Sequence, residues 1–403
     1  MYLTREEEKI LAGEMGEARA EALKIIVKVG EALGAERLVP IAHAHVSGIS
    51  YGTIGDHGAS LLEDLASRGA RVAVPTTVNP VGYDTEDPSL LEKAGVRITP
   101  EFVRGQSRIL SALRRMGANL TLTCTPYYMP EVRGIPVGSS VAWGESNAIL
   151  YANSVLGLRT NREGGPLALM AALTGRTYYW GMHLDSERVP QTLYRVEERL
   201  LDEARAGVLG EIIATSHRTH RPPLVDARFR DEIALREFLA ALGAAGSLAM
   251  AHIPGVTPEK PPQDLAEKIT IGSRELEESL DKYRPTETPD VVFIGCPHAQ
   301  ASDVERLARL LQGASRVRAR IVVTLSRREY SRLLASNPRV IGELSRMGAV
   351  IARDTCLIVS PFGKPGTRVA TNSYKALFYL SKRGVKVNLA PLEDLARIAV
   401  KGV

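Results

Sequence analysis

The amino-acid sequence predicts an α/β protein built mainly on parallel sheets. In the last third of the chain, short runs of β-branched and aliphatic residues alternate with amphipathic segments of helical spacing. This alternation is typical of parallel strands joined by crossover helices. A length of 403 residues and a hydrophobic fraction of 44% allow more than one core.

Helices and strands are predicted in alternation along the first part of the chain. Thr4 and Glu7 form a capping-box pattern, and apolar residues recur at helical spacing from there to about Leu33. Strands rich in β-branched and aliphatic residues are predicted at 37–46, 70–80 and 119–126. Further helices are predicted at 107–117, 147–157, 186–208 and 230–243.

The last third is the most regular part of the sequence. Strands are predicted at 291–295, 318–325, 349–354, 357–360 and 385–390, and helices at 302–313, 326–336, 337–348 and 372–384. Ser302 is the predicted cap of the first of these helices. We therefore expect the chain to form two lobes, 1–285 and 286–403, of which the second is a doubly wound α/β unit.

Composition and charge exclude several classes of protein. The 51 Lys and Arg residues against 46 Asp and Glu residues give a net charge of +5, and these charges are interspersed. No basic tail or aromatic-rich basic stripe supports nucleic-acid binding, whereas the surplus suits a small anionic substrate. The longest uncharged run, 238–258, contains Gly and Pro, so no membrane span is expected.

The compartment is predicted from the cysteines and from the N-terminal segment. Three cysteines, an odd and small number, argue against structural disulfides and for a reducing environment. The acidic, amphipathic N-terminal segment does not have the pattern of a signal peptide. A cytoplasmic location is the resulting expectation.

The cysteines are candidates for binding a metal cofactor. Cys124, Cys296 and Cys356 each fall at or near the end of a predicted strand, where ligand sites of α/β proteins gather. Three thiolates from distant loops suit an iron–sulfur cluster in which one iron keeps an open position and acts as a Lewis acid. The spacing alone is not diagnostic, so three unrelated buried thiols are the alternative.

The densest polar segment lies between residues 143 and 166. Glu145, Ser146 and Asn147 stand where a helix is predicted to begin, and the free N–H groups at a helix N-terminus favour an anion. Arg159 and Arg162 follow, and guanidinium groups bind carboxylate or phosphate groups in a bidentate way. The alternative is an ordinary helix cap followed by a charged loop.

Other candidate groups lie at the ends of predicted elements. Residues 47–50 follow a predicted strand and offer hydroxyl and backbone N–H groups, and Asn79-Pro80 closes the next strand. Lys375 lies at the start of the last long helix, where a cation and a helix N-terminus together suit an anion. His43 and His45 share one face of a strand, and such histidines more often serve structure.

Six segments together carry a resemblance to a known family: HAHVSGISYGTIGDHG, TVNPVGYD, LTCTPYY, AWGESNAILYANSVLGLRTNREGGPLAL, VVFIGCPHA and TNSYKALFYL. On these segments the chain, over residues 1–403, resembles the catalytic region of the aconitase X family. The resemblance implies an aconitase-like, multi-lobed α/β/α architecture without the swivelling domain that fused relatives carry.

The resemblance also implies a cofactor, a set of site residues and a partner. Cys124, Cys296 and Cys356 would hold a [4Fe–4S] cluster with one open iron. A small swivelling-domain subunit would complete a heterodimer and supply the base serine, which leaves Glu145 and Ser146 as the catalytic candidates of this chain. The implied substrate-binding residues are Gly48, Ile49, Ser50, Asn79, Pro80, Glu145, Ser146 and Lys375.

The implied activity is that of a hydro-lyase. The archaeal members of the family imply dehydration of (R)-5-phosphomevalonate to trans-anhydromevalonate 5-phosphate, a step of the archaeal mevalonate pathway. Dehydration of cis-3-hydroxy-L-proline is the alternative within the family. A non-catalytic iron–sulfur subunit is the alternative from another class of protein.

Overall fold

A computed structural model describes residues 1–246, 248–314 and 316–403. Its helices are α1 Arg5–Leu11, α2 Glu17–Leu33, α3 Tyr51–Ser67, α4 Pro100–Arg115, α5 Pro130–Arg133, α6 Ser146–Ser154, α7 Gly165–Thr174, α8 Glu203–Ser216, α9 Glu232–Ala245, α10 Ser273–Asp281, α11 Ala301–Leu310, α12 Arg327–Ser336, α13 Pro338–Arg346, α14 Tyr374–Ser381 and α15 Leu392–Lys401. Its strands are β1 Leu38–Pro40, β2 Ala44–Val46, β3 Thr76–Val78, β4 Ala142–Trp143, β5 Arg176–Tyr178, β6 Thr192–Val196, β7 Leu224–Asp226, β8 Glu267–Ile271, β9 Val291–Ala299, β10 Arg320–Leu325, β11 Val350–Arg353, β12 Arg368–Thr371 and β13 Lys386–Leu389.

The sheets are mostly parallel, which confirms the predicted α/β class. The largest sheet has the order β11-β10-β9-β12-β13, with every neighbouring pair parallel. Two smaller parallel sheets have the orders β3-β2-β4 and β7-β6-β8. Strands β1 and β5 pair in the antiparallel direction.

Several helices begin where a side-chain oxygen accepts a free backbone N–H. Thr4 accepts from the Glu7 N–H at 3.3 Å, and the Glu7 carboxylate accepts from the Thr4 N–H at 2.7 Å, which confirms the predicted capping box of α1. Asp202 caps α8 and Ser373 caps α14 with a single hydrogen bond each, in which the side-chain oxygen accepts from a backbone N–H.

The central strand of the largest sheet is buried along all of its length. Val292 and Ile294 of β9 pack in one hydrophobic cluster with residues of α11 and α15. Val291 and Phe293 pack in another cluster, which includes residues of α14. Because side chains alternate along a strand, both faces of the sheet are covered, as parallel sheets require.

Three predicted elements are wrong. Residues 119–126, all of which the structure describes, form no strand, and Leu122 has a φ of 46°, in the left-handed region that strand residues do not adopt. The predicted helix 186–208 is replaced by β6 and the start of α8. The predicted strand 357–360 is a 3₁₀ turn over Leu357–Val359.

The cap predicted for α11 is also wrong. The helix begins at Ala301, and the backbone N–H of Gln300 donates to the carboxylate of Asp303 at 3.0 Å. Gln300, and not Ser302, is therefore the capping residue. The division into lobes 1–285 and 286–403 stays a prediction.

Among the residues that the structure describes, no helix is both long enough and apolar enough to cross a bilayer.

Candidate functional site

One side of the site is the carboxyl edge of the sheet β3-β2-β4. Because these strands are parallel, the segments that follow them lie at the same edge. Residues 47–50 follow β2, Asn79 and Pro80 follow β3, and Glu145 lies between β4 and α6. The sheet therefore brings together three segments that are distant in sequence.

The other side of the site comes from the large parallel sheet. Cys296 lies on β9, Cys356 follows β11, and Lys375 is in the first turn of α14, after β12. Ser373, the cap of α14, donates its hydroxyl hydrogen to the backbone carbonyl of Cys296. This contact joins the segment that carries Cys296 to the helix that carries Lys375.

Backbone hydrogen bonds hold the two sides together. The N–H of Val81 donates to the carbonyl of Asp354 at 3.0 Å, and the N–H of Cys356 donates to the carbonyl of Val81 at 2.8 Å. The segment before Cys124 runs beside β3, where the Thr123 N–H donates to the Val78 carbonyl at 3.1 Å. Cys124 and Cys356 are thus fixed against the same segment that supplies Asn79 and Pro80.

These residues line one cavity of about 210 Å³. Of the predicted site residues, its walls include Gly48, Ile49, Ser50, Asn79, Pro80, Cys124, Glu145, Cys296, Cys356 and Lys375. Ser146 is not in its wall and instead donates a hydrogen bond to Glu145 Oε1 at 3.3 Å. Four larger clefts, of about 590, 710, 380 and 240 Å³, are lined by none of the cysteines.

A chain of polar contacts crosses the cavity wall. Lys375 Nζ contacts Glu145 Oε1, and Glu145 Oε2 accepts from Asn79 Nδ2 at 2.6 Å. Asn79 Oδ1 lies 2.8 Å from His45 Nε2, and His45 Nδ1 lies 2.8 Å from Thr77 Oγ1. Since Asn79 offers its carbonyl oxygen to His45, Nε2 carries the hydrogen and Nδ1 accepts from the hydroxyl of Thr77.

Glu145 and Lys375 form an ion pair in which both groups are charged. Burial opposes ionisation of Glu145, but the adjacent ammonium of Lys375 and the amide of Asn79 lower the pKa of its carboxyl to about 2. Burial likewise opposes the charge of Lys375, yet the Glu145 carboxylate raises the pKa of its ammonium above the ordinary value. The cavity therefore contains a fixed cation and a fixed anion.

Asn147 connects this pair to the cysteines. Its Oδ1 accepts from Lys375 Nζ at 2.7 Å, and its Nδ2 donates to the backbone carbonyl of Cys124 at 2.8 Å. Asn147 is buried at the first turn of α6. A displacement of Lys375 would therefore be transmitted to the loop of Cys124.

The N-terminus of α3 forms another wall. The backbone turns at Gly48, whose φ of 67° lies in the left-handed region, and α3 follows with Ser50 as its cap. Ser50 Oγ donates to the Val359 carbonyl at 3.2 Å. Buried Gln106 holds the turn, because its amide donates to the Ile49 carbonyl at 3.0 Å and accepts from the Tyr51 N–H at 2.8 Å.

Cys124 and Cys296 are buried, whereas Cys356 is partly exposed. Burial raises the pKa of Cys124 to about 12 and raises the pKa of Cys296 and of Cys356 above the ordinary thiol value. Over the described residues, no group of three or more His, Cys, Asp or Glu side chains has the arrangement that holds a metal ion. The three thiols line the same cavity.

The arginines of the polar segment serve the fold. Arg159 pairs with Asp185 and donates to the carbonyl of His183 at 2.9 Å. Arg162 donates to the carbonyls of Gly243 and Leu248 at 3.0 and 2.9 Å. Neither arginine lines the cysteine cavity.

The polar residues at the site that the sequence analysis missed include Gln106 and His298. Gln106 lies within an amphipathic helix, and only its contacts with 49–51 reveal its role. His298 lines the cavity and makes hydrogen bonds to segments far away in sequence. The position of His298, two residues after Cys296, was the signal available in the sequence.

Comparison with known proteins agrees with this architecture. Models of the aconitase X first, second and third domains match residues 1–186, 190–281 and 289–401. The crystal structure of Thermococcus kodakaraensis aconitase X in its holo-form superposes with a TM-score of 0.88 at 36% identity, covering 99% of this chain and 100% of that one.

Curated relatives match over nearly the whole chain. One from Aeropyrum pernix, named phosphomevalonate dehydratase large subunit, is 56% identical over 99% of this chain and 100% of its own. One from Methanosarcina mazei, with the same name, is 41% identical over 94% and 92%. One from Pseudomonas aeruginosa, named cis-3-hydroxy-L-proline dehydratase, is 34% identical over 98% of this chain and 69% of its own.

The fold and the site define an aconitase-like α/β protein whose parallel sheet edges enclose a cysteine-lined cavity. The chain belongs to the aconitase X family.

Proposed function

We propose that this chain is the catalytic subunit of a hydro-lyase that dehydrates (R)-5-phosphomevalonate to trans-anhydromevalonate 5-phosphate. The main support for the proposal is one observation: Cys124, Cys296 and Cys356 line a single cavity together with the Lys375–Glu145 pair. The relatives named phosphomevalonate dehydratase large subunit, at identities up to 56%, support this substrate.

The donor set of the cavity fits an iron–sulfur cluster. The three thiols come from segments that are distant in sequence and line one cavity, and cysteine thiolates are the usual protein ligands of iron–sulfur clusters. We propose Cys124, Cys296 and Cys356 as the ligands of a [4Fe–4S] cluster, which would supply a Lewis acid at the departing hydroxyl.

Two features of the cavity suit the anionic groups of the substrate. Lys375 places an ammonium in its wall, and residues 48–50 line it just before a single helical turn, 51–54, that ends at the non-helical Gly55. Backbone N–H groups of such a turn can donate to a carboxylate or phosphate group. We propose that Gly48, Ile49 and Ser50 hold one anionic group and that Lys375 holds the other.

Glu145 and Asn79 suit the hydroxyl that leaves. Elimination breaks the bond between the tertiary carbon and its oxygen and removes a proton from the carbon next to the carboxylate, so that water and a double bond form. Glu145 is an ionised acceptor that is oriented by Asn79 and adjacent to Ser146, and it can hold the hydroxyl hydrogen at Oε1 or Oε2. Pro80 shapes the wall beside Asn79.

The proton-abstracting base is assigned to a partner. The name "large subunit" that the relatives carry supports a second, smaller subunit. We propose that this partner brings a swivelling domain with the base serine over the cavity and forms a heterodimer with the chain.

The test is an anaerobic reconstitution of the chain and its small subunit with iron and sulfide, followed by product analysis on phosphomevalonate. Mass spectrometry should show the loss of one water, and the product should carry a carbon–carbon double bond in its nuclear magnetic resonance spectrum. A complex that is loaded with iron and sulfide but leaves phosphomevalonate unchanged would refute the proposal.

Dehydration of cis-3-hydroxy-L-proline is the second candidate, and the 34% identical relative of that name favours it. The same complex should be offered both substrates in parallel. Turnover of hydroxyproline alone would replace the first proposal by the second. Turnover of neither substrate by the loaded complex would favour a non-catalytic iron–sulfur subunit.

A further inference from the structure

His298 contacts all three segments that carry the cysteines. It lies on β9, two residues after Cys296, and its side chain is buried. Its Nδ1 lies 3.2 Å from Thr123 Oγ1, and Thr123 immediately precedes Cys124. Its Nε2 lies 2.8 Å from the carbonyl oxygen of Thr355, which immediately precedes Cys356.

The hydrogen-bond partners fix the form of the imidazole. A carbonyl oxygen only accepts, so Nε2 carries the hydrogen and donates to Thr355. Nδ1 is then the acceptor and takes the hydroxyl hydrogen of Thr123. The Thr123 hydroxyl oxygen in turn accepts from the backbone N–H of Thr125 at 3.2 Å.

The backbone of His298 adds a contact to sulfur. Its N–H donates to Cys124 Sγ at 3.2 Å. Hydrogen bonds to ligand sulfurs are among the factors that set the properties of iron–sulfur clusters. The same residue therefore touches one sulfur directly and two cysteine segments through its ring.

We propose that His298 is a positioning residue that holds the three cysteine segments together, so that their sulfurs face one cavity before a cluster binds. The inference rests on the proposed role of the cysteines as cluster ligands. Cys124, Cys296 and Cys356 lie on segments that local sequence does not bring together. The buried imidazole of His298, which is on the strand of Cys296, bonds to the segments of both other cysteines. Partners that orient metal ligands in this way commonly affect metal affinity strongly.

The test compares three variants of His298 in the anaerobically reconstituted chain. His298→Ala removes both ring contacts. His298→Gln can keep a donor to Thr355, and His298→Asn can keep an acceptor for Thr123. His183→Gln is the matched control, because His183 is equally buried and has a hydrogen bond to Ser140 at 2.9 Å, away from the cysteines.

The main readout is the rate at which the cluster absorption is lost to an iron chelator. We expect His298→Ala to lose it about tenfold faster than the unaltered chain, since two buried hydrogen bonds are removed. His298→Gln and His298→Asn should lose it at intermediate rates, and His183→Gln at the unaltered rate. The electron paramagnetic resonance spectrum of the reduced cluster should change in the His298 variants alone.

Cluster loss from His298→Ala at the unaltered rate would overturn the inference. If His298→Ala fails to fold, the rates of cluster loss from His298→Gln and His298→Asn serve as the test. Unaltered rates in both of these variants would also overturn the inference. If the unaltered chain takes up no iron and sulfide, the proposed cluster fails instead. The two failures are thus distinguishable in one series of measurements.

Discussion

Asn79 Nδ2 donates to Glu145 Oε2 at 2.6 Å, and this bond links the ends of two strands that belong to one parallel sheet. The amide can donate to Glu145 only while its oxygen faces His45 Nε2, 2.8 Å away. His45 is thus the buried residue that sets the orientation of Asn79, and Asn79 in turn orients the carboxylate.

We predict that His45→Phe lowers kcat/KM of the proposed dehydration by about tenfold, because one buried hydrogen bond that orients Asn79 is lost. His43→Phe is the matched control: His43 is also buried and accepts from Trp143 Nε1 at 3.1 Å, but Trp143, unlike Asn79, does not line the cavity. Both variants should lose similar stability in thermal denaturation, whereas only His45→Phe should lose activity. Equal losses of activity would contradict the role assigned to His45.

The Lys375–Glu145 pair is predicted to matter for stability as well as for activity. Lys375→Met leaves a buried carboxylate without its cation and should lower the free energy of unfolding by about 3–5 kcal/mol. Glu145→Gln leaves the cation unpaired and should be destabilising in the same direction. In the double variant no buried charge is left unpaired, so the free energy of unfolding should recover in part. The dehydration activity should remain absent. Chemical denaturation of the three variants gives these differences, and additive losses would argue against a coupled pair.

Each cysteine is predicted to be required for the cluster. Replacing Cys124, Cys296 or Cys356 singly by Ser substitutes a poorly ionising hydroxyl for a soft thiolate. We expect loss of the cluster absorption and a fall in kcat of about a hundredfold or more, because the Lewis acid is lost. Far-ultraviolet circular dichroism serves as the check of folding. A Ser variant that keeps full iron, sulfide and activity would remove that residue from the ligand set.

The sequence predicts four of the five strands of the large parallel sheet and misses β12. The strand at 291–295 and the helix that contains Lys375 have clear apolar patterns, and the structure has both. Prediction fails where long-range contacts override the local pattern. The alternating residues around Leu122 suggest a strand, but its left-handed backbone carries the chain away from strand geometry just before Cys124.

The supporting residues of the site are the least predictable part. Gly295 is an example, since its φ is 114° and a Cβ there would lie 2.2 Å from the carbonyl oxygen of Thr324 on the neighbouring strand. His298 and Gln106 likewise acquire their roles from partners that only the folded chain brings near. Strand ends are readable from sequence, because apolar runs end there, whereas partners across a fold are not.

Glu163 provides a prediction of pH dependence that is separate from the cysteines. Its carboxylate is buried and accepts from the Tyr178 hydroxyl at 2.9 Å and from the Thr177 hydroxyl at 3.4 Å. Burial raises its pKa from 4.5 to about 7, although both hydroxyls oppose the shift. Between these two pH values the folded chain binds more protons at this site than the unfolded chain does.

The stabilising contribution of protonated Glu163 is therefore complete below pH 4.5 and is lost as the pH rises to about 7. The loss amounts to about 3 kcal/mol of unfolding free energy. Glu163→Gln is neutral throughout, so its stability relative to the unaltered chain should rise by about this amount across the same window. The exposed Glu343→Gln is the control and should show no comparable rise. Urea denaturation at a series of pH values measures the difference in unfolding free energy between Glu163→Gln and the unaltered chain. If this difference is constant across the series, the carboxyl of Glu163 titrates alike in the folded and unfolded states, and the prediction is contradicted.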